Sequence, residues 1–116
     1  MGAGTYNFTI EQGATFKRIM TWKDSNGNPI SLVGYKGRMQ IRQAKDSSNV
    51  IMTLDTEDNG GMALGGVDGT ITIEISASRT AGLDFRTAVY DLELEKDGEV
   101  VRLLEGTVTL SKEVTR

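Results

Sequence analysis

AVYDLELEKDGEVVRLLEGTVTL, from Ala88 to Leu110, is the stretch that decides the fold. Asp97-Gly98 suits the positive φ angles of a two-residue hairpin turn. A turn there sets Leu94 against Val101 and Leu92 against Leu103 on one face, with Glu93 against Arg102 on the other and Lys96 against Glu99 beside the turn. Apolar pairs on one side and opposite charges on the other are what a half-buried antiparallel pair requires. One flaw remains. Val101 and Leu103 share one parity, while Leu104, Val108 and Leu110 share the other. Either a β-bulge lies at Leu104-Glu105-Gly106, which we favour because Gly accepts unusual dihedrals, or the strand is buried on both faces.

The same test applied at Asp68-Gly69 pairs Leu64 with Ile73 and Met62 with Ile75, leaving Thr70, Thr72 and Glu74 on the opposite face. Other alternating runs hold Tyr6, Phe8 and Ile10; Phe16, Met20 and Trp22, interrupted by Arg18; Tyr35, Met39 and Ile41; and Val50, Met52 and Leu54. Turn pairs at Asn26-Gly27, Asn59-Gly60 and Gly65-Gly66 separate them. Short strands at this spacing predict a β-sandwich or barrel. Between Ser76 and Phe85 the alternation fails. Ala77, Thr80, Ala81 and Leu83 predict one helical turn near residues 77–82, ended by Gly82.

The 116 residues form one domain, 1–116, with 1–4 read as a flexible leader. Hydrophobic content of 38 % with 25 % charged residues supports a globular core. Fourteen glycines and one proline fit many tight turns. There is no cysteine and no histidine. Ser-His triads, cysteine nucleophiles and most zinc sites are therefore excluded. A net charge of −3 has the wrong sign for a nucleic-acid binder, and no apolar run is long enough for a membrane helix, so neither partner is expected.

The candidate sites are few, and each has a structural explanation. Asp91, Glu93 and Glu95 share one strand face and are read as a solvated face balanced by basic neighbours rather than an acid/base pair. The loops Asp24–Asn28 and Asp55–Gly60 carry oxygen ligands but lack EF-hand spacing, and Asp, Asn and Gly are also turn residues. Arg38 and Arg42, with Gln40 between them, make an outward basic stripe that either contacts a partner or pairs within the sheet. Trp22 is read as core before it is read as a sugar platform. Ser76, Ser78 and Thr80 have no base to activate them, and the glycines at 60, 61, 65 and 66 form no phosphate loop. Lys45–Asn49 is the most polar loop. The expectation is no enzyme, no catalytic residue, no metal and no cofactor, with the binding surface unassigned.

Three stretches carry a family resemblance: EQGATFKRIMTWKDSNGNPISLVGYKGRMQIR, DGTITIEIS and VYDLELEKDGEVVRLLEGTVTLSKEVTR. Gly13 and Phe16, then Asp24, Gly27, Pro29, Ile30, Leu32, Gly34 and Tyr35, then Met39 to Arg42, and finally Tyr90 to Leu94 with Asp97 and Gly98 fill its motif positions. The chain resembles small immunoglobulin-like domains of tailed-bacteriophage structural proteins. That resemblance implies an antiparallel β-sandwich of seven or eight strands in or near the tail, baseplate or neck of a virion. It implies no catalytic residue. The expected function is a non-enzymatic module binding other virion proteins, with a homo-oligomer as a further expectation, located in the virion or, during assembly, the host cytoplasm. Alternatives are a carbohydrate- or receptor-binding sandwich and a small phage-encoded regulator of a host protein.

Overall fold

A computed structural model describes residues 4–115. Nine strand segments and one short helix follow in order: β1 (Gly4–Thr5), β2 (Phe8–Glu11), β3 (Phe16–Thr21), β4 (Lys36–Arg42), β5 (Val50–Asp55), β6 (Met62–Leu64), β7 (Thr70–Ile75), α1 (Ala77–Ala81), β8 (Thr87–Lys96) and β9 (Glu99–Ser111). Eight of the nine correspond to the alternating runs. The added one is β1, which begins at Gly4 and aligns with Leu104. Gly4 therefore lies in the sheet, and residues 1–3 of the expected leader lie outside the described residues.

The strands form two sheets. The larger runs β1-β9-β8-β4-β5, with β2 also on β9, and the smaller runs β3-β7-β6. Besides its first strand, A, an immunoglobulin sandwich pairs strands B, E and D in one sheet and C, F and G in the other, and the variable type adds C′ and C″ beside C. Here β3, β6 and β7 form the first set, and β4, β5, β8 and β9 the second. The chain is an immunoglobulin-like β-sandwich. It departs from the expected all-antiparallel pairing because β1 and β2 run parallel to β9. Parallel neighbours need a long connection, and nearly the whole chain lies between these strands.

Alternation sets the core. Phe8, Ile10, Met39, Ile41, Leu54, Ile71, Ile73, Ile75, Leu92, Leu94 and Val108 are all 3 % exposed or less. Burying each such side chain stabilises the fold by about 1.5–3 kcal/mol. Phe8 anchors an aromatic cluster, with Phe16 edge-on at 5.6 Å and Tyr90 tilted at 4.8 Å.

Both hairpins keep their predicted inward faces, but their registers differ from expectation. Asp97 and Gly98 both have positive φ, 53° and 84°, as the two-residue turn demands. From there Lys96 pairs with Glu99, Glu93 with Arg102 and Leu94 with Val101. Leu92 then meets Leu104 instead of Leu103. The bulge is real, and its extra residue is Leu103, earlier than the Leu104–Gly106 position expected. Gly106 serves a different need. A Cβ there would collide with the Tyr6 carbonyl and come within 2.7 Å of Asn7 Oδ1, so glycine allows the β1–β2 segment to approach β9. In the other hairpin Met62 pairs with Ile73 and Leu64 with Ile71. The register moves by two because a 3-10 turn at Gly66–Asp68 lengthens the loop, closed by the Gly65 amide donating to Thr70 O.

The helical turn forms as expected. Ser76 caps α1 by accepting a hydrogen bond from the Arg79 amide at 3.3 Å. Gly82 ends it in right-handed geometry (φ −82°), so no positive φ is required there. Tyr35 lies in the turn before β4, its amide donating to Leu32 O. No described helix is long and apolar enough to cross a membrane.

Candidate interaction surfaces

Two surfaces stand out, one charged and one apolar. The charged one is the outer face of the larger sheet. Pairing of β4 with β8 sets Arg38 beside Glu93 and Gln40 beside Asp91. Arg38 reaches Glu93 at 3.9 Å, Arg102 reaches Asp91 at 3.5 Å and Glu105 at 3.8 Å, and Lys45 also approaches Glu105 at 3.8 Å. Glu93 and Arg102 are opposed in register as expected, yet Arg102 turns to Asp91 and Glu105. Arg42 donates to Ser47 O and to Gln40 Oε1, which ties the Lys45–Asn49 loop to the sheet. The basic stripe is thus drawn into internal pairs. Such exposed pairs each contribute ~0–1 kcal/mol.

The remaining candidate residues have structural partners. Asp24 Oδ1 accepts from the Asn26 and Asn28 amides, and Asp55 Oδ1 accepts from the Glu57 amide, so both carboxylates organise turns. Among the described residues no group of three acidic side chains is placed to hold a metal ion. Thr80 is fully buried. Its hydroxyl accepts from the Gly13 amide and has Ala14 O at 2.8 Å and Ala77 O at 3.1 Å, pinning the β2–β3 turn to α1. Ser76 and Ser78 lie 3.2 Å apart at the helix start. Trp22 is half-buried and meets Tyr35 edge-on at 6.1 Å. Tyr90, buried against Phe8, donates to Tyr6 O at 2.6 Å, and burial with the nearby Tyr6 raises its pKa well above the usual phenol value. On the surface, the Lys112 ammonium bonded to Asp84 at 2.6 Å lowers the pKa of that carboxyl.

The apolar surface was not singled out by the sequence. It is a groove on one flank of the sandwich, between the β3 edge and the bulged part of β9, lined by Tyr6, Ile19, Met20, Trp22, Leu103 and Leu104 with Ile71 beneath. Ile19 is 62 % exposed and Tyr6 40 %. The bulge creates one wall of it, because the extra residue Leu103 is half-buried there beside Leu104. The available signal was Ile19, an apolar residue on the outward parity of its strand. The opposite flank is bridged. The Asp55 amide donates to Gly60 O, the Glu74 amide donates to Gly61 O, and Arg79 reaches Thr53 O, so the crossing from β5 to β6 ties the two sheets together there.

No family model matches the chain, and no curated protein matches it. Among solved structures it is similar to parallel homodimers of the extracellular domains of the voltage-gated sodium channel β4 subunit, which explain that subunit's role in cell–cell adhesion. The identity is 11 %, over 98 % of this chain and 97 % of that one, with a TM-score of 0.46. A second similar structure comes from photo-crosslinking analyses of multimeric cell-adhesive interactions of voltage-gated sodium channel β subunits. There the identity is 12 %, over 96 % and 93 % of the two chains, with a TM-score of 0.48. The strand order, not this distant likeness, establishes the sandwich.

Proposed function

We propose that this chain is a non-enzymatic structural module of a tailed-bacteriophage virion, placed in the tail, baseplate or neck, that works by binding other virion proteins. The virion assignment rests on the sequence motifs, from Gly13 and Phe16 through the Asp24–Tyr35 turn to the closing hairpin. The observation that carries the binding role is the apolar groove beside the edge strand β3, with Ile19 62 % exposed on its rim. Large exposed apolar side chains grouped beside an edge strand mark a place where another chain fits. The charged face, whose basic groups are already paired with acids of the same sheet, is the lesser candidate.

Mass spectrometry of purified particles, with cross-linking, tests the reading. Detection of the chain at a stoichiometric level, cross-linked to a tail, baseplate or neck protein, is the expected result. Absence from particles overturns it.

A further inference from the structure

The immunoglobulin sandwich has room for a fourth strand in its smaller sheet, where the first strand of the chain lies beside the second. Among the described residues no strand takes that place, because β1 and β2 both go to β9 and leave β3 as the edge of a three-stranded sheet. The direction of the free backbone groups follows from one hydrogen bond. The Trp22 amide donates to Gly69 O on the β7 side. Antiparallel pairs alternate, so the amides of Phe16, Arg18 and Met20 also point to β7, and those of Lys17, Ile19 and Thr21 point outward. Consistent with this, Lys17 O is met at 3.0 Å by the guanidinium of Arg18. Behind this edge lies the apolar groove.

Charge narrows the occupant. Lys17 and Arg18 stand on the edge, and no ion pair among the described residues involves either one. Arg18 has the inward parity of its strand and its guanidinium lies 4.7 Å over the Phe16 ring. A charged residue at an inward position on an edge strand opposes pairing with a second copy of the same edge, since two such strands would bring their Arg18 side chains near one another. An acidic segment has no such conflict.

We infer that β3 accepts an extended segment of another protein, with apolar side chains two residues apart entering the groove and the intervening carboxylates meeting Lys17 on the outward face. This is strand addition, in which backbone hydrogen bonds supply affinity and alternate side chains supply selectivity. It rests on the reading of the chain as a binding module and names the chemistry of the partner.

The test uses the full chain and a capped peptide of about seven residues, a typical strand length, alternating valine and glutamate. On binding, amide exchange followed by NMR slows at Lys17, Ile19 and Thr21 by roughly tenfold or more, with protection elsewhere in β3 unchanged. N-methylation of every second peptide amide abolishes the effect, and lysine in place of glutamate weakens binding by about tenfold. Ile19→Pro removes an outward amide without touching the ladder to β7 and abolishes binding, while Lys17→Glu reverses the preference between the two peptides. Absence of binding, shifts confined to the charged face, or a dimer of the chain formed through β3 in light scattering overturns the inference. Presence in particles without peptide binding refutes strand addition alone, and peptide binding with absence from particles refutes the virion assignment alone.

Discussion

The two flanks of the sandwich are built from similar strands and end differently. On one, the chain crosses from β5 to β6 and its amides bond across the gap, with Gly60 O and Gly61 O as acceptors and Arg79 reaching Thr53 O. On the other, β3 faces a groove lined by Tyr6, Trp22, Leu103 and Leu104, and no described strand lies beyond it. The difference shows how connectivity can bridge one edge of a sheet and leave another available. Where the chain itself passes between the sheets, backbone groups are satisfied internally. Where its first strands are drawn to β9, they are left for solvent or a partner.

The largest effect separating the flanks is expected from truncation. Leu54 on the bridged flank is fully buried, so Leu54→Ala should cost about 2–5 kcal/mol in urea unfolding. Ile19→Ala on the open flank should stay within about 0.5 kcal/mol. Comparable losses at the two positions would break the contrast.

Gly61→Ala is the next test. Gly61 has φ +85°, and a Cβ there would lie 2.8 Å from Leu54 Cδ2 and 2.9 Å from Glu74 O. We expect a loss of about 1–3 kcal/mol from overpacking and backbone strain. Thr80→Val should cost about 1–3 kcal/mol by leaving the Gly13 amide and Ala14 O without their partner. Thermal or urea unfolding measures both.

On the open flank, Tyr90→Phe removes the bond to Tyr6 O and should cost about 0.5–1.5 kcal/mol near neutral pH. Its pH dependence has a definite sign. The phenol pKa is raised on folding, so the stability it contributes is complete below the ordinary tyrosine value of 10.0 and is lost as pH rises above it. Unfolding curves above that pH should fall less steeply for the variant than for the parent chain. The smallest perturbation is hydrogen exchange of the free chain. The amides of Lys17, Ile19 and Thr21 should exchange quickly and those of Arg18 and Met20 slowly, an alternation that would vanish if β3 were covered.

Much of the architecture was legible because strand parity is a local property. Leu92 and Leu94, Ile71, Ile73 and Ile75, Met39 and Ile41 all face inward where alternation placed them. Val101 shares the inward parity, yet is 36 % exposed. Parity reports which way a side chain points, whereas burial needs an opposing sheet at that height. The β6–β7 register was misjudged because Gly65-Gly66 and Asp68-Gly69 both read as turns, and the 3-10 segment uses both. The Arg102 pairing differed because the bulge at Leu103 moves Glu105 and Asp91 within its reach. The groove was illegible, since its residues come from β3, the β1–β2 segment, β7 and β9.

By itself the order of apolar and polar residues determined the strands, their inward faces and the glycine-cornered hairpins, because side-chain direction in a strand has a period of two. The same order holds no histidine and no cysteine, so no imidazole or thiolate group is present in these 116 residues. Only the tertiary structure decided that β1 and β2 join β9, where Leu103 bulges and that β3 has β7 but no second neighbour among the described residues. Those outcomes depend on hydrogen bonds between residues about a hundred positions apart, such as Asn7 with Thr107 (|i−j| = 100), and no local pattern encodes which distant edge a strand will meet.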